Sequence, residues 1–478
     1  MLFNSLSFAI FLPIVFALYW LLPHKYRWVL LLLASYYFYM SWNVKYVTLI
    51  LTTTLISYAA ARLLEGQPDL RKKKWILAGA AVVSLGILFF FKYFNFFSES
   101  LAAFLGLFAI PMNPILLKLL LPVGISFYTF QTLSYVIDVY RGTVPAERHL
   151  GYYATFISFF PQLVAGPIER TTNLLPQIKA KHTFNYDQAT YGLKLMTWGF
   201  FQKIVIADTL STYVSSVFDA PRNYEGFSLV LAVLMFTVQI YCDFSGYSDI
   251  AIGTAKMLGI DLMTNFRSPY FAQSIKEFWS RWHISLSTWF RDYVYIPLGG
   301  NRVGKVRQAF NLILTFLVSG LWHGANWTFV IWGGIHGCAQ VLERFLSRKT
   351  KTLRSNPMAI LKTLGVFLFI AFTWIFFVSK SLNDALYVIG HLFTGISSPL
   401  AYLQEGFYAF SFSKSKLLSI LFFIFMLAVY DGFSLKTDCI QWISRQNKLV
   451  RNLAYWGLVL IIVFFRATVE AEFVYFQF

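Results

Sequence analysis

Long, unbroken apolar stretches limit most what this chain can fold into. About 20 consecutive apolar residues are enough to cross the hydrocarbon core of a bilayer as a helix. Such continuous stretches argue against a transmembrane β-barrel, whose strands alternate apolar and polar residues. The chain is 57% hydrophobic and only 13% charged, whereas roughly a quarter of the residues in a soluble protein are charged. We therefore predict an all-α polytopic membrane protein.

The clear spanning candidates are residues 6–22, 28–42, 46–63, 75–96, 115–138, 227–250, 358–379, 416–432 and 452–468. The first of them has neither a positively charged start nor a small-residue cleavage site. We therefore expect a retained helix there, not a signal peptide.

The charged residues are strongly biased towards positive charge. The chain carries 40 Lys and Arg against 22 Asp and Glu, a net charge of +18. The basic residues lie in short loops between apolar stretches, as cytoplasmic loops do under the positive-inside rule. With these loops in the cytoplasm, the N-terminus lies outside and the first five helices alternate without conflict. The sequence shows no RNA-binding motif or separate basic domain, so we expect lipid, and no nucleic acid, as the surrounding partner.

The segment 276–302 is rich in aromatic and basic residues. Its large side chains recur at intervals of three and four residues, which predicts a helix lying at the membrane interface. One interpretation is an anchor on the cytoplasmic face. The other is the rim of a cytoplasmic entrance, where basic residues such as Arg281 receive an anionic donor such as coenzyme A. His283 follows Trp282 in this segment and could point inward.

The segment 309–343 is apolar but is interrupted by glycine and polar residues. Basic residues flank both ends, so both ends are expected in the cytoplasm and the chain enters the membrane and returns. Roughly 35 residues at a rise of about 1.5 Å give two limbs of roughly 22–25 Å, shorter than the ~30 Å hydrocarbon core. The turn then falls at Gly320–Asn326 and holds His323 at depth. An ionisable residue there is costly and by default functional; a neutral histidine bonded to a carbonyl is the alternative.

Three further polar side chains interrupt apolar sequence. His336 follows in the second limb, within Trp-Gly-Gly-Ile-His-Gly, where a packing role and a supporting catalytic role are both open. Asp243 and Asp249 lie in the apolar segment 239–254. Isolated acids at depth must pair or line a polar pathway, so pairing with an arginine or histidine and direct chemistry both remain open.

Familiar catalytic motifs are missing from the sequence. There is no GxSxG elbow, P-loop or dinucleotide-binding glycine motif. His283, His323 and His336 are 40 and 13 residues apart, which does not match zinc-binding spacings, so we expect no metal. An imidazole with a pKa near ~6.5 is a natural general base at neutral pH. It could deprotonate a hydroxyl group, whose oxygen then attacks a thioester carbonyl.

Two long motifs resemble a known family. They are FWSRWHISLSTWFRDYVYIPLGGNR, at 278–302, and SGLWHGANWTFVIWGGIHG, at 319–337. Both resemble the membrane-bound O-acyltransferase (MBOAT) family, specifically its bacterial alginate O-acetyltransferase branch. The run YCDFSGYSDIAIG, the stretch FISFFPQLVAGPIER and the ending FVYFQF are similar to the same branch, so the resemblance covers essentially the whole chain.

The resemblance implies a fold and a set of site residues. The fold would be a ring of transmembrane helices around a buried tunnel, with re-entrant and interfacial helices. The catalytic histidine of the WHG motif would be His323, and the RWHISLS histidine, His283, would lie at the other end of the same polar path. The substrate-binding or supporting residues would be His336, Trp322, Asn326, Asp243, Tyr247, Trp282 and Arg281.

The resemblance also implies a reaction and its participants. An acyl group, most simply acetyl, would leave a cytoplasmic thioester such as acetyl-CoA and reach an extracytoplasmic acceptor through the tunnel. No bound cofactor is implied. The expected partner is an SGNH-type acetyltransferase that modifies an exported polysaccharide, and the expected location is the bacterial cytoplasmic membrane.

Other functions and a domain plan complete the expectations. Transfer of D-alanine to a cell-wall polymer, a transporter of polysaccharide or lipid-linked sugar without chemistry, and a scaffold for partner enzymes are the alternatives. We expect one membrane domain over 1–478. It would comprise N-terminal helices (1–150), a catalytic core with the interfacial helix and re-entrant hairpin (151–350), and C-terminal helices (351–478).

Overall fold

The structure is a computed structural model that describes residues 1–346, 357–467, 471 and 473–476. The described residues are mostly helical and contain no β-strand, which confirms the all-α prediction. The first ten helices are α1 Leu6–Leu21, α2 His24–Met40, α3 Val47–Glu65, α4 Leu70–Leu88, α5 Phe94–Gly106, α6 Ile125–Arg141, α7 Leu150–Ser158, α8 Phe160–Leu163, α9 Thr171–Lys179 and α10 Tyr186–Phe200. The others are α11 Asp208–Phe218, α12 Phe227–Met257, α13 Ile275–Arg281, α14 Ile284–Phe290, α15 Lys305–His323, α16 Trp327–Leu346, α17 Pro357–Val378, α18 Leu382–His391, α19 Pro399–Tyr408, α20 Lys414–Ser434, α21 Cys439–Ser444 and α22 Lys448–Phe465.

Short helical turns of other types connect several of these helices. The π-helical turns are Phe89–Tyr93, Phe201–Ala207 and Arg291–Tyr295, and the 3₁₀ turns are Val44–Tyr46, Pro221–Asn223, Pro269–Phe271 and Val474–Phe476.

Six helical stretches within the described residues are long and apolar enough to cross a membrane. They are Val44–Glu65, Leu70–Gly106, Phe227–Met257, Pro357–Val378, Lys414–Ser434 and Lys448–Phe465. The first helix, Leu6–Leu21, is apolar but shorter. These helices confirm the prediction of a multi-pass membrane protein.

The predicted span at 115–138 is wrong in its first half. Residues 112–124 form no helix, and α6 begins only at Ile125. Pro114 and Pro122 lack the N–H that a helix requires, and Gly124 adopts the left-handed conformation at a φ of 75°. The Asn95 side chain replaces part of the missing helical bonding, because its amide donates to Leu117 O over 2.9 Å and its oxygen accepts from Leu117 N over 2.8 Å.

The described chain divides into two compact units, which we describe separately. The first comprises 1–196 and 250–263. In it α3 packs against α4, α6 and α7, and α2 packs against α7 and α8. The Tyr153 hydroxyl donates to Ser57 Oγ over 2.7 Å and thereby joins α7 to α3.

The second unit comprises 197–249 and the described residues from 264 onward, and it contains both family-like central motifs. Its core is unusually aromatic: Trp282, Trp332 and Trp374 are fully buried in it. Trp332 and Trp374 stack with ring centroids 5.7 Å apart, and Trp282 lies 5.1 Å from Trp374. Aromatic pairs of this kind add about 0.5–1.5 kcal/mol beyond the area they bury.

The single interfacial helix predicted at 276–302 is also wrong. The structure has two short helices there, α13 and α14, separated by Trp282 and His283. His283 has a φ of 42°, a left-handed conformation that no right-handed helix can contain. The aromatic side chains of this segment are largely buried in the unit, so the periodicity reflects core packing as much as an interface.

The helical hairpin at 309–343 forms as predicted, with longer limbs. Its helices α15 and α16 have 19 and 20 residues, or about 28–30 Å at 1.5 Å per residue. They begin and end outside the predicted segment, so each limb approaches the thickness of a bilayer core. The chain turns at Gly324–Asn326, within the predicted turn.

The two limbs touch at glycine. A Cβ placed on Gly320 would lie 2.2 Å from Phe329 O, and one placed on Gly333 would lie 2.2 Å from Phe316 O. Because both obstacles are backbone oxygens of the opposite helix, neither can move without displacing that helix. These two glycines therefore set the distance between the limbs. Gly320 lies one turn before His323.

This packing predicts that Gly333→Ala destabilises the protein by about 1–3 kcal/mol or more, the usual cost of overpacking a filled core. The adjacent Gly334→Ala is the control, since its Cβ meets only Leu317 Cδ2 at 3.4 Å. The check is the unfolding temperature of both purified variants in detergent. Equal temperatures for the two would contradict the close-packing account.

Candidate active site

His323 is held at the turn of the hairpin by the ends of two helices. It is the last residue of α15, and its side chain is buried. The next helix begins after Asn326, whose Oδ1 accepts the N–H of Thr328 over 3.0 Å, as an N-cap does. The Asn326 amide donates in turn to Lys380 O over 2.9 Å. Asn326 thus fixes the turn beside His323.

His283 occupies a strained position that its neighbours stabilise. A non-glycine residue in the left-handed region costs about 1–3 kcal/mol when its surroundings impose it. The fully buried Asn265 supplies the bonds that hold this conformation. Its carbonyl accepts from Ile284 N over 2.9 Å, and its side-chain oxygen accepts from Ser285 Oγ over 2.6 Å. The Asn265 amide donates to Ser248 Oγ over 3.1 Å.

His283, His323 and Tyr475 form a small triangle of rings. Their centroids are 6.4 Å apart for the two histidines, 5.5 Å for His323 and Tyr475, and 6.2 Å for His283 and Tyr475. Trp322, 5.1 Å from His323 and 6.1 Å from His283, lies beside both histidines.

Burial limits the basicity of His283. His283 lies outside the six helical stretches that could cross a membrane, and burial lowers its pKa to about 3. Its imidazole is therefore neutral at pH 7. A base works best when its pKa lies near the working pH, so His283 suits hydrogen bonding better than proton removal.

His336 has both ring nitrogens bonded within the fold. The indole N–H of Trp279 donates to Nδ1 over 3.3 Å, and an indole nitrogen can only donate. The ring proton must then lie on Nε2, which donates to the Thr373 hydroxyl over 3.1 Å. Thr373 donates onward to Ile370 O over 2.8 Å. This arrangement favours a packing role for His336, one that fixes the neighbouring Trp332 at 4.9 Å.

Trp282 and Arg281 lie in the segment that carries His283. Trp282 stacks on Phe278, 5.5 Å away, within the aromatic core. The Arg281 guanidinium binds Glu277 over 2.6 Å and approaches the backbone oxygens of Arg267 and Ser268 at 3.4 and 3.5 Å. Both side chains thus stabilise the α13 segment and its approach to His283.

Asp243 and Tyr247 bind a segment near the end of the sequence, consisting of Ala471 and Phe473–Phe476, which we call the 471–476 segment. The Asp243 carboxylate accepts Val474 N–H over 2.7 Å. The Tyr247 ring lies 4.8 Å from Phe473. Asp249 accepts from the Gln202 amide over 2.8 Å. The two predicted residues Asp243 and Tyr247 are therefore joined to the histidines through this segment.

Comparison with known sequences decides the family. Residues 147–383 match MBOAT, the membrane-bound O-acyltransferase family. The chain is 45% identical over 399 residues, 82% of its length and 80% of the relative's, to a Pseudomonas putida protein named "Probable alginate O-acetylase AlgI". It is 38% identical over 422 residues, 81% of its length and 79% of the relative's, to the peptidoglycan O-acetyltransferase of Helicobacter pylori. This chain belongs to the MBOAT family.

A more distant relative belongs to a different branch. The teichoic acid D-alanyltransferase of Streptococcus thermophilus is 31% identical over 246 residues, 49% of this chain and 59% of that one. The sequence resemblance to MBOAT is thus confirmed, and the protein is an O-acyltransferase. The MBOAT match contains all three histidines of the predicted site.

Tyr475 is the site residue that the sequence reasoning missed. It lies outside the MBOAT match, within the ending FVYFQF. Its hydroxyl oxygen is buried and has no hydrogen-bond partner among the residues that the structure describes. Within the same part of the chain, no three His, Cys, Asp or Glu side chains group as a metal site would require. The site therefore consists of imidazole and phenol groups in aromatic surroundings.

The hydrogen bonds of Asn265 hold the backbone at His283 in place. Asn265→Ala is therefore expected to lower acyl transfer roughly 10²-fold, the penalty that a misplacement near 1 Å can carry. Stability should fall by about 1–3 kcal/mol through the lost buried hydrogen bonds. Asn311→Ala is the matched control, because Asn311 is equally buried and its amide donates to Leu298 O over 2.9 Å. The measurement is the transfer rate per folded molecule. Equal rates for both variants would refute the claim that Asn265 positions His283.

Proposed function

We propose that this MBOAT protein transfers an acetyl group from a cytoplasmic thioester to an extracytoplasmic acceptor, for O-acetylation of an exported polysaccharide. The observation that carries the proposal is the triangle that the buried His283 and His323 form with the half-buried Tyr475 at the hairpin turn. The site offers a base, a neutral hydrogen-bonding imidazole and a hydroxyl group around one small volume. These groups suit acyl transfer between oxygen and sulfur.

The proposed reaction needs one base. His323 removes the proton of a hydroxyl group, and the resulting oxygen attacks the thioester carbonyl. A C–O bond forms, the C–S bond breaks, and the thiol leaves with the proton that His323 gives up. The neutral His283 and the Tyr475 hydroxyl supply hydrogen bonds to the reacting oxygen atoms. Such preorganised partners are worth most where water is excluded.

The acetyl group and the polysaccharide acceptor are supported by the relatives. The matches that cover about four-fifths of the chain are named for O-acetylation of alginate or peptidoglycan, whereas the two D-alanyltransferases match 49% and 64% of it. The alginate-branch resemblance further supports an SGNH-type protein as the extracytoplasmic partner and the bacterial cytoplasmic membrane as the location. D-alanyl transfer is the competing activity.

The donor proposal is supported by charge. Arg302, Lys305 and Arg307 are exposed around the start of α15, the end of the hairpin that the loop rule assigns to the cytoplasm. An anionic donor such as acetyl-CoA matches this cluster. We propose that the donor binds there and that its acyl group reaches His323 through a tunnel along the helices.

Removing the proposed base should slow transfer strongly. His323→Ala is expected to lower the rate roughly 10²–10⁴-fold, the usual contribution of a general base. The measurement follows radiolabel from acetyl-CoA outside proteoliposomes, on the donor side, to an acceptor enclosed within them. His391→Ala is the control, since His391 is a partly exposed histidine whose Nδ1 lies 2.8 Å from Tyr387 O.

Three results would count against the proposal. Wild-type transfer by His323→Ala would remove the base assignment. Movement of unmodified sugar without label transfer would indicate a transporter. Label transferred only from a D-alanyl carrier protein would place the chain in the competing branch.

Removing the Tyr475 hydroxyl should lower the transfer rate without lowering the stability of the protein. Tyr475→Phe is expected to lower transfer at least tenfold while leaving the unfolding temperature unchanged, because the hydroxyl has no partner to lose among the described residues. Tyr153→Phe gives the opposite pattern, since it removes the 2.7 Å bond to Ser57, worth about 0.5–1.5 kcal/mol. Wild-type activity of Tyr475→Phe would exclude its hydroxyl from the reaction.

A further inference from the structure

A buried cluster of opposite charges lies beside the site. Lys203 Nζ is 2.6 Å from Asp243 Oδ1 and 2.8 Å from Asp208 Oδ1, and all three side chains are at most 6% exposed. Asp243 belongs to α12, one of the helices that could cross a membrane. Ionisable residues at such depth are costly and are found where they serve function. A buried ion pair contributes little net stability over apolar packing. Stability alone therefore does not explain why these charged residues are present.

Both members of the ion pair bind the backbone of the 471–476 segment. Asp243 Oδ2 accepts Val474 N–H over 2.7 Å, and Lys203 Nζ donates to Ala471 O over 3.3 Å. A third bond lies nearby, from Ala467 N to Ile204 O over 3.2 Å. The ion pair thus binds two main-chain groups of the segment, the carbonyl of Ala471 and the N–H of Val474.

The segment held in this way carries the aromatic side chains of the site. Phe473 packs against Tyr247 at 4.8 Å. Tyr475 packs against Phe244 at 4.4 Å, and Phe244 lies 4.6 Å from His283. The orientation of Tyr475 towards the histidines therefore depends on where the backbone at Ala471, Phe473 and Val474 is fixed.

We propose that Lys203 and Asp243 are positioning residues that fasten the 471–476 segment in the active site. Asp208 holds Lys203 in place, and Asp243 and Lys203 hold the backbone that presents Tyr475. This role rests on the proposed function for its effect on catalysis, while the fastening itself is a separate physical property.

The proposal can be tested by replacing one carboxylate oxygen of Asp243 with an amide nitrogen. Its two oxygens accept from two different donors, Lys203 Nζ and Val474 N–H. An amide has only one oxygen to accept with, so Asp243→Asn must lose one of the two bonds. Asp431→Asn is the matched control, because both oxygens of the buried Asp431 accept from the single hydroxyl of Tyr241, at 3.1 and 2.8 Å. There one amide oxygen suffices.

A second variant tests the same bond from the other side. Val474→Pro removes the N–H that Asp243 accepts and leaves the ion pair intact. Proline is tolerated at the first position of a helical turn, and Val474 begins the 3₁₀ turn. This variant keeps the test valid if Asp243→Asn fails to fold.

Two measurements are made on each full-length variant in detergent or proteoliposomes. The first is the turnover rate and KM for acetyl transfer. The second is hydrogen–deuterium exchange of the peptide containing 471–476, compared with peptides from α15 and α16. A merely structural role would raise exchange throughout the unit.

The expected result is a loss of turnover of at least tenfold in Asp243→Asn and in Val474→Pro. Exchange should be faster in the 471–476 segment alone, and the double variant should lose less turnover than the product of the two single losses, because both changes loosen the same segment. Asp431→Asn should leave turnover and exchange of this segment unchanged.

Two outcomes would overturn the proposal. One is Asp243→Asn or Val474→Pro with wild-type turnover despite faster exchange of the segment. The other is lost turnover with exchange of the segment as slow as in the wild type. Failure of the proposed function is recognised separately, by wild-type transfer in His323→Ala, and leaves the exchange data to decide whether the segment is fastened.

Discussion

Hydrogen bonds to buried polar groups shape the second unit around the site. Neither lipid nor an aromatic core offers hydrogen-bond partners, so each buried polar atom that lacks one costs several kcal/mol. Asn265, His336 and Asp243 each meet this need with different partners. The Asn265 bonds shape the backbone at His283, those of His336 order the tryptophans, and those of Asp243 hold a distant piece of chain. The site is arranged by these bonds more than by its own reacting groups.

Environment gives the three histidines different tasks. His336 is saturated by Trp279 and Thr373 and has no nitrogen left for chemistry. His283 is neutral through burial and is fixed by a left-handed backbone. His323 stands at a helix end, where the chain turns and Asn326 caps the next helix. One residue type thus occupies three different environments within one site.

Much of this architecture could be predicted from the sequence, and the failures have physical causes. Hydropathy identified the membrane class because lipid demands long apolar helices, and the two long motifs identified the family. The break at Trp282–His283 was missed because a left-handed histidine leaves no mark in periodicity. Residues 115–124 read as a helix because hydropathy ignores the prolines. Tyr475 was missed because no local pattern reveals which distant segment will pack against His323.

The left-handed backbone at position 283 restricts which side chains evolution can place there. Any replacement must tolerate that conformation as well as do without the ring, and asparagine or glycine meets the first condition far better than alanine or valine. An alanine scan would therefore combine the loss of the imidazole with a distortion of the chain between α13 and α14. Asparagine would instead remove the imidazole and keep the bend between α13 and α14.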